Sequence, residues 1–263
     1  MAEGQSLLMR KTLLVITGAS QGYGECLAKT FAQRLPSGSA CLLLSRKPAK
    51  VEEIRTENME AFYEKFDQSN FAECGRLFIQ GMMDKNGIKL ADYEQTMIIH
   101  NSGVLGDLTK FAWEMEDKDM VANVINVNIT GMILLNSALM QCCEDAGQKN
   151  ISIINISTLA AVMPLPSCSL YCASKAARDM YLQVLAKERS WVRVLNWAPG
   201  PLDTEMMVSC RQCADDELRQ SYIEMHEKKT LLTCSQSAEK LMLLLERNTF
   251  KSGEHIDYYD VKE

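Results

Sequence analysis

Positive charge is in short supply in this chain. Its 28 lysines and arginines stand against 34 acidic residues, giving a formal net charge of −6 and a pI near 5.3. With no basic block either, the chain is not a phosphate-backbone binder. Long apolar runs are also missing. The first run, TLLVIT at 12–17, meets a glycine far too early to form a signal-peptide core or a membrane span. No repeat, linker or low-complexity tract interrupts the chain. The ten cysteines lack the setting of a disulfide framework, being scattered through apolar stretches of a 263-residue chain. They read as reduced thiols of a cytoplasmic protein. Cys210 and Cys213 make one Cys-x-x-Cys, but no second pair stands at zinc spacing, so the pair reads as structural and no metal is expected.

Short apolar runs alternate with longer amphipathic ones throughout. The run at 12–17 enters GASQGYG (Gly18, Ser20, Gln21, Gly22, Tyr23, Gly24) and then ECLAKTFAQRL. Strand, glycine turn and helix in that order open a dinucleotide site. The turn lets backbone approach a pyrophosphate, and the helix N-terminus supplies amide donors and the positive end of a dipole. ACLLLSRK (40–47) is the second strand, and it ends in basic residues where an acidic one would bond the ribose of NAD. A guanidinium at Arg46 suits a 2′-phosphate and predicts NADP. A brief helix over about 48–58 leads to AFYEKFDQ (61–68), a third strand whose end places Asp67 and Gln68 for an adenine edge. A helix follows over 69–84. TMIIHNSG (96–103) is a fourth strand with Asn101 and Gly103 placed to line the cofactor. One long helix over 117–144 carries Asn126 and Asn128.

The centre of the chain is NISTLAAVMPLPSCSLYCASK (155–175). Its apolar, β-branched approach delivers Ser157 to a strand end. A helix starting near 167–169 then puts Tyr171 and Lys175 on one face, one turn apart. A phenol beside a cation is drawn from a pKa of about 10 towards neutrality, and a serine hydroxyl can hold the oxygen that exchanges the proton. A tyrosine and a lysine one turn apart also occur on ordinary amphipathic helices, and the spacing alone does not separate the two readings. VRVLNWAPGPLDT (192–204) is a sixth strand entering a rigid proline-glycine loop, with Thr204 able to cap the next helix. Residues 205–230, polar and dotted with Met206 and Met207, have the composition of a lid over a substrate. A serine-capped helix (235–248) and a last strand (254–260) complete the chain. The alternation implies one α/β domain over 1–263: a Rossmann-like, doubly wound parallel sheet of about seven strands with helices on both faces.

TGASQGYG, HNSG, the Ser157–Tyr171–Lys175 set and APGPLDT, in that order and spacing, resemble the short-chain dehydrogenase/reductase family over the full chain. That resemblance implies an NADPH-dependent oxidoreductase, usually a homodimer formed through its long helices. It implies further that Asn128 is a fourth catalytic member holding a water behind Lys175, that Lys175 contacts the nicotinamide ribose, and that Pro199, Gly200, Leu202 and Thr204 line the cofactor. Within the family, LYCASKAARDMYLQVLA, NSGVLGDLTK and SGEHIDYYD resemble the members that reduce the side-chain carbonyl of pterins. Ser157, Tyr171 and Gly200 then line the substrate, and Asp257 anchors the pterin's amino-pyrimidinone through two parallel N–H bonds. Gln21 stands where arginine is expected in that group, which leaves the 2′-phosphate to Arg46 and Lys47. A broad carbonyl reductase acting on diketones or quinones is the alternative within the family. A nucleotide-sensing protein without turnover is the alternative outside it.

Overall fold

The computed structural model describes residues 4–262, and one seven-stranded sheet runs through it. The strands are β1 (Thr12–Thr17), β2 (Ser39–Ser45), β3 (Met59–Lys65), β4 (Gln95–His100), β5 (Ile151–Ile156), β6 (Val192–Ala198) and β7 (Glu254–Asp257). All neighbours pair in parallel in the order β3-β2-β1-β4-β5-β6-β7. The order reverses between β1 and β4, which opens a crevice at the carboxyl ends of the strands.

Burial on both faces explains why these runs are continuously apolar rather than alternating. Leu14 and Ile16 of β1 point to the side covered by α1 (Gly22–Arg34) and α9 (Cys234–Arg247), where Phe31, Leu241 and Leu245 pack. Leu13 and Val15 point to the other side. There α3 (Arg76–Lys85), α5 (Gly131–Asp145) and α6 (Ser169–Glu188) contribute Ile79, Leu139 and Leu182. Each such side chain removed from water stabilises the fold by about 1.5–3 kcal/mol. Trp197, fully buried on β6, gives its indole N–H to Tyr23 Oη at 2.9 Å.

Several boundaries differ from the sequence reading, each for a local reason. The helix expected over 48–58 is a single turn, α2 (Val51–Ile54). β3 stops at Lys65, so Asp67 and Gln68 lie in the turn beyond it, where Asn70 and Glu73 tie the backbone before α3 begins. The single helix expected over 117–144 is two. Asp117 caps α4 (Lys118–Ile125), and a π-helical turn over Asn126–Thr130 separates it from α5. By length and composition Lys118–Asp145 could cross a bilayer, but its Asn136 bonds His100 of β4 at 3.0 Å inside the sheet layer.

The segment after β6 is helical. It forms α7 (Glu205–Cys210) and α8 (Asp216–Glu227) around a small core of Leu108, Cys168, Met207, Cys210 and Cys213. Cys210 and Cys213 are buried free thiols there. α9 is capped by Thr233 with Gln236 in a reciprocal capping box, not by a serine. β7 is shorter than expected, and Tyr258–Asp260 wind into a 3-10 turn.

Candidate active site

Every strand ends on the same edge of the sheet, and most of the expected residues lie along it. Gly18 follows β1 with φ +68, and its N–H bonds Leu44 O of β2 at 2.7 Å. A Cβ on Gly24 would run into the Gly18 carbonyl, so only glycine lets α1 start this close to β1. Asn101 locks the turn from β4, its Nδ2 donating to Thr17 O at 3.0 Å and to Gly18 O at 3.2 Å. Gln21 stands at the N-cap of α1 without a side-chain cap. The first amide donors of that helix therefore face outward unclaimed by side chains, which suits an anion such as a pyrophosphate. Ser20 and Gln21 flank this cradle. Tyr23 does not: its side chain is buried between α1, β6 and α9, with Oη bonded to Ser237 Oγ at 3.0 Å and its phenol pushed up by burial. Its backbone alone faces the cradle.

Arg46 and Lys47 are exposed just past β2. Burial works against ionisation of Asp67, but the Ser69 hydroxyl and N–H, with Arg46 nearby, hold its carboxyl below the usual range. Gln68 is turned away from the crevice. It is buried and donates to Val127 O at 2.6 Å, beneath the π-helical turn, so its side chain is not at an adenine site. The residue type was right for hydrogen bonding and wrong in direction.

Asn128 is fully buried on the π-helical turn. Its Nδ2 donates to Val104 O (2.8 Å) and Ser174 Oγ (2.9 Å), and its Oδ1 accepts from Val104 N (2.8 Å). π-helical turns are over-represented at functional sites because the extra residue redirects one side chain. Gly103 lies between Asn128 and Lys175, a Cβ there standing 3.4 Å from Asn128 Oδ1 and 3.6 Å from Lys175 Nζ. Asn126 takes no part in these bonds.

Lys175 Nζ donates to Ile156 O at 2.7 Å and lies 5.5 Å from the centre of the Tyr171 ring. α6 carries both residues on the face turned to β5, as the four-residue spacing requires. The electrostatics differ from the sequence expectation. Burial raises the Tyr171 phenol, and the cation acting against that rise is Arg178. Lys175 is itself held well below the ordinary lysine range by burial and then by Arg178. The phenol thus keeps its proton near neutrality. Its Oη is 4.0 Å from Met206 Sδ of α7, which hangs over it.

Ser157 is 2% exposed, and its Oγ donates to Asp179 Oδ2 at 2.8 Å. The proline-glycine loop closes the site: Pro199 and Leu202 are buried, and Gly200 lies against Leu232 and Tyr258. Thr204 takes the N-cap position of α7, but its hydroxyl caps nothing, and its methyl faces Gly22 across the crevice. Asp257 ends β7 beside Ala198, half-buried, with Oδ1 accepting from Tyr259 N at 3.0 Å.

Arg178, Asp179 and His255 were absent from the sequence reading. The guanidinium is buried, held near a pKa of about 10, and bonded to Asn155 Oδ1, Ser102 O and His100 O. The spacing of Tyr171, Lys175 and Arg178 (i, i+4, i+7) was a usable signal for it.

A parallel sheet with a glycine cradle at its switch point, and a serine, tyrosine and lysine at the end of β5 and on the helix after it, define a nucleotide-dependent oxidoreductase. The short chain dehydrogenase model matches residues 12–214, and the chain belongs to that family. Curated sepiapterin reductases are similar over almost the whole chain. That of Xenopus tropicalis is 36% identical over 251 residues, covering 94% of this chain and 96% of its own. The benzil reductase ((S)-benzoin forming) of Bacillus cereus is 26% identical over 251 residues, covering 92% and 97%. The crystal structure of a 3-oxoacyl-[acyl-carrier protein] reductase from Brucella melitensis in complex with NAD superposes with a TM-score of 0.76 at 19% identity, covering 94% and 95%.

Proposed function

We propose that this chain is an NADPH-dependent sepiapterin reductase, reducing the side-chain carbonyl of pterins such as sepiapterin or 6-pyruvoyl-tetrahydropterin on the route to tetrahydrobiopterin. The observation that carries the substrate assignment is Asp257, which ends β7 at the carboxyl edge of the sheet and has one carboxylate oxygen held by Tyr259 N–H. A carboxylate oriented in this way can receive a fork of two N–H donors from an amino-pyrimidinone. The identity to curated sepiapterin reductases over nearly the full length supports the same reading.

The α1 cradle would hold the pyrophosphate, Arg46 and Lys47 the 2′-phosphate, Asp67 the adenine side, and Asn101, Gly103 and the loop from Pro199 to Thr204 the nicotinamide half. When bound, the nicotinamide supplies the hydride. Tyr171, protonated near neutrality, donates a proton from Oη to the substrate oxygen, and Ser157 holds that oxygen. Lys175 and Asn128 sit behind Tyr171, where Lys175 would bind the ribose and the remaining Asn128 lone pair a water. We read the whole chain as one domain of a cytoplasmic protein. It dimerises through α5 and α6, whose Leu134, Met180 and Val184 are 39%, 59% and 44% exposed.

The test is loss of nicotinamide absorbance with sepiapterin, using NADPH and NADH side by side. NADPH-dependent reduction is expected, and Asp257→Ala should lower kcat/KM for sepiapterin at least tenfold while leaving a small 1,2-diketone within about twofold. Equal loss on both substrates would favour the broad carbonyl reductase to which the benzil reductase similarity points. Inertness towards both would favour a nucleotide sensor.

A further inference from the structure

Behind Ser157 lies a set of donors and one acceptor that neither the hydride nor the proton transfer uses; a role for them rests on Ser157 holding the reacting oxygen. Asp179 of α6 is 3% exposed. Its Oδ2 accepts from Ser157 Oγ at 2.8 Å and from His255 Nδ1 at 2.6 Å, and its Oδ1 accepts from Asn155 Nδ2 at 2.8 Å. A carboxylate only accepts, so all three partners must donate, and the Nδ1 proton of His255 is assigned on that ground. Arg178 is next in sequence, but its bonds go to Asn155 Oδ1 and to the carbonyls of Ser102 and His100. His255 makes the shortest of the contacts to Asp179, at 2.6 Å from Nδ1 to Oδ2. Three separate elements, β5, α6 and β7, therefore converge on one carboxylate, and that carboxylate holds the Ser157 hydroxyl.

We propose that Asp179 is a positioning residue for Ser157, and that His255 seats Asp179 from β7. A serine side chain has three staggered wells of similar energy, only one of which points Oγ at a given place. A hydrogen bond to a charged acceptor outweighs those small differences and keeps one well filled. The bond to Asp179 presets Oγ before substrate binds, and the single hydroxyl hydrogen then turns about the Cβ–Oγ bond from Asp179 to the substrate oxygen. Anchoring and catalysis use the same atom at different moments.

The experiment is a double-mutant cycle on kcat/KM with sepiapterin, or with a 1,2-diketone if sepiapterin is not turned over. NADPH binding and thermal melting confirm folded protein. Asp179→Ala should cost about tenfold when Ser157 is present and less than about twofold in the Ser157→Ala background. Asp179→Asn, whose amide still bonds Oγ, should recover most of the loss. Should Asp179→Ala not fold, His255→Gln at the sheet edge serves the same cycle, with an expected loss of about threefold that also vanishes without Ser157. Equal losses in both backgrounds, or an asparagine variant no better than alanine, would overturn the proposal. If Ser157→Ala turns over at the unmodified rate, the serine's role fails and the positioning role fails with it. The Asp257→Ala comparison would still stand.

Discussion

Tyr171 carries the proposed proton transfer on one atom. Burial raises its phenol, while Arg178 opposes the rise from the interior side of α6. A phenol in that state is a proton donor near neutrality, which fits reduction of a carbonyl. Tyr171→Phe should lower kcat by about 10²–10⁴ and leave NADPH affinity within about twofold, as read by rapid turnover assays and nucleotide fluorescence titration. Retention of turnover in that variant would remove Tyr171 as the acid. At this scale the sequence was partly legible. Tyr171, Lys175 and Ser157 announce themselves because two share a helix face and the third ends an apolar run. Asp179 and His255 do not, since 76 residues separate two groups that touch.

At the scale of elements, the π-helical turn at Asn126–Thr130 does the most to shape the site. Its extra residue aims Asn128 at Val104 and Ser174 and brings Gly131 against Gln68. A Cβ on Gly131 would run into the carbonyl of Gln68, a backbone atom with little freedom to yield. Gly131→Ala should therefore cost about 1–3 kcal/mol, lowering the melting temperature by roughly 2–4 °C per kcal/mol. It should also reduce turnover by shifting Asn128. A thermal melt unchanged from the parent would show that the turn relaxes freely. Periodicity could not reveal this turn, because a one-residue insertion leaves the apolar pattern of a long helix almost intact. The direction of Gln68 has the same origin: its amide is held by the Val127 carbonyl of that turn, which comes after the fourth strand.

For the molecule as a whole, buried polar groups beneath the crevice link folding to pH. His100 is fully buried and bonded to Asn136, and burial with Arg178 depresses it from 6.5 to about 3. Between those values the unfolded chain binds a proton that the folded one refuses. Stability should consequently fall on acidification below about pH 6.5, by up to about 1.4 kcal/mol per pH unit from this group, with no contribution above it. Melting temperatures measured from pH 7 to 5 should decline, and His100→Gln should flatten the slope. An unchanged slope would mean that another group carries the effect.

The residue pattern by itself determined the alternation of strands and helices, the parallel sheet, and the placing of Tyr171 and Lys175 on one helix face. These arise from apolar runs buried on both faces and from spacings of three and four on a helix. Only the tertiary structure decided which side chains reach the crevice. Tyr23 and Gln68 turned into the layers, while Arg178, Asp179 and His255 came to lie beneath it. The physical reason is that burial rewards whichever orientation satisfies each polar atom, and the partners that do so arrive from strands and helices far apart in the chain.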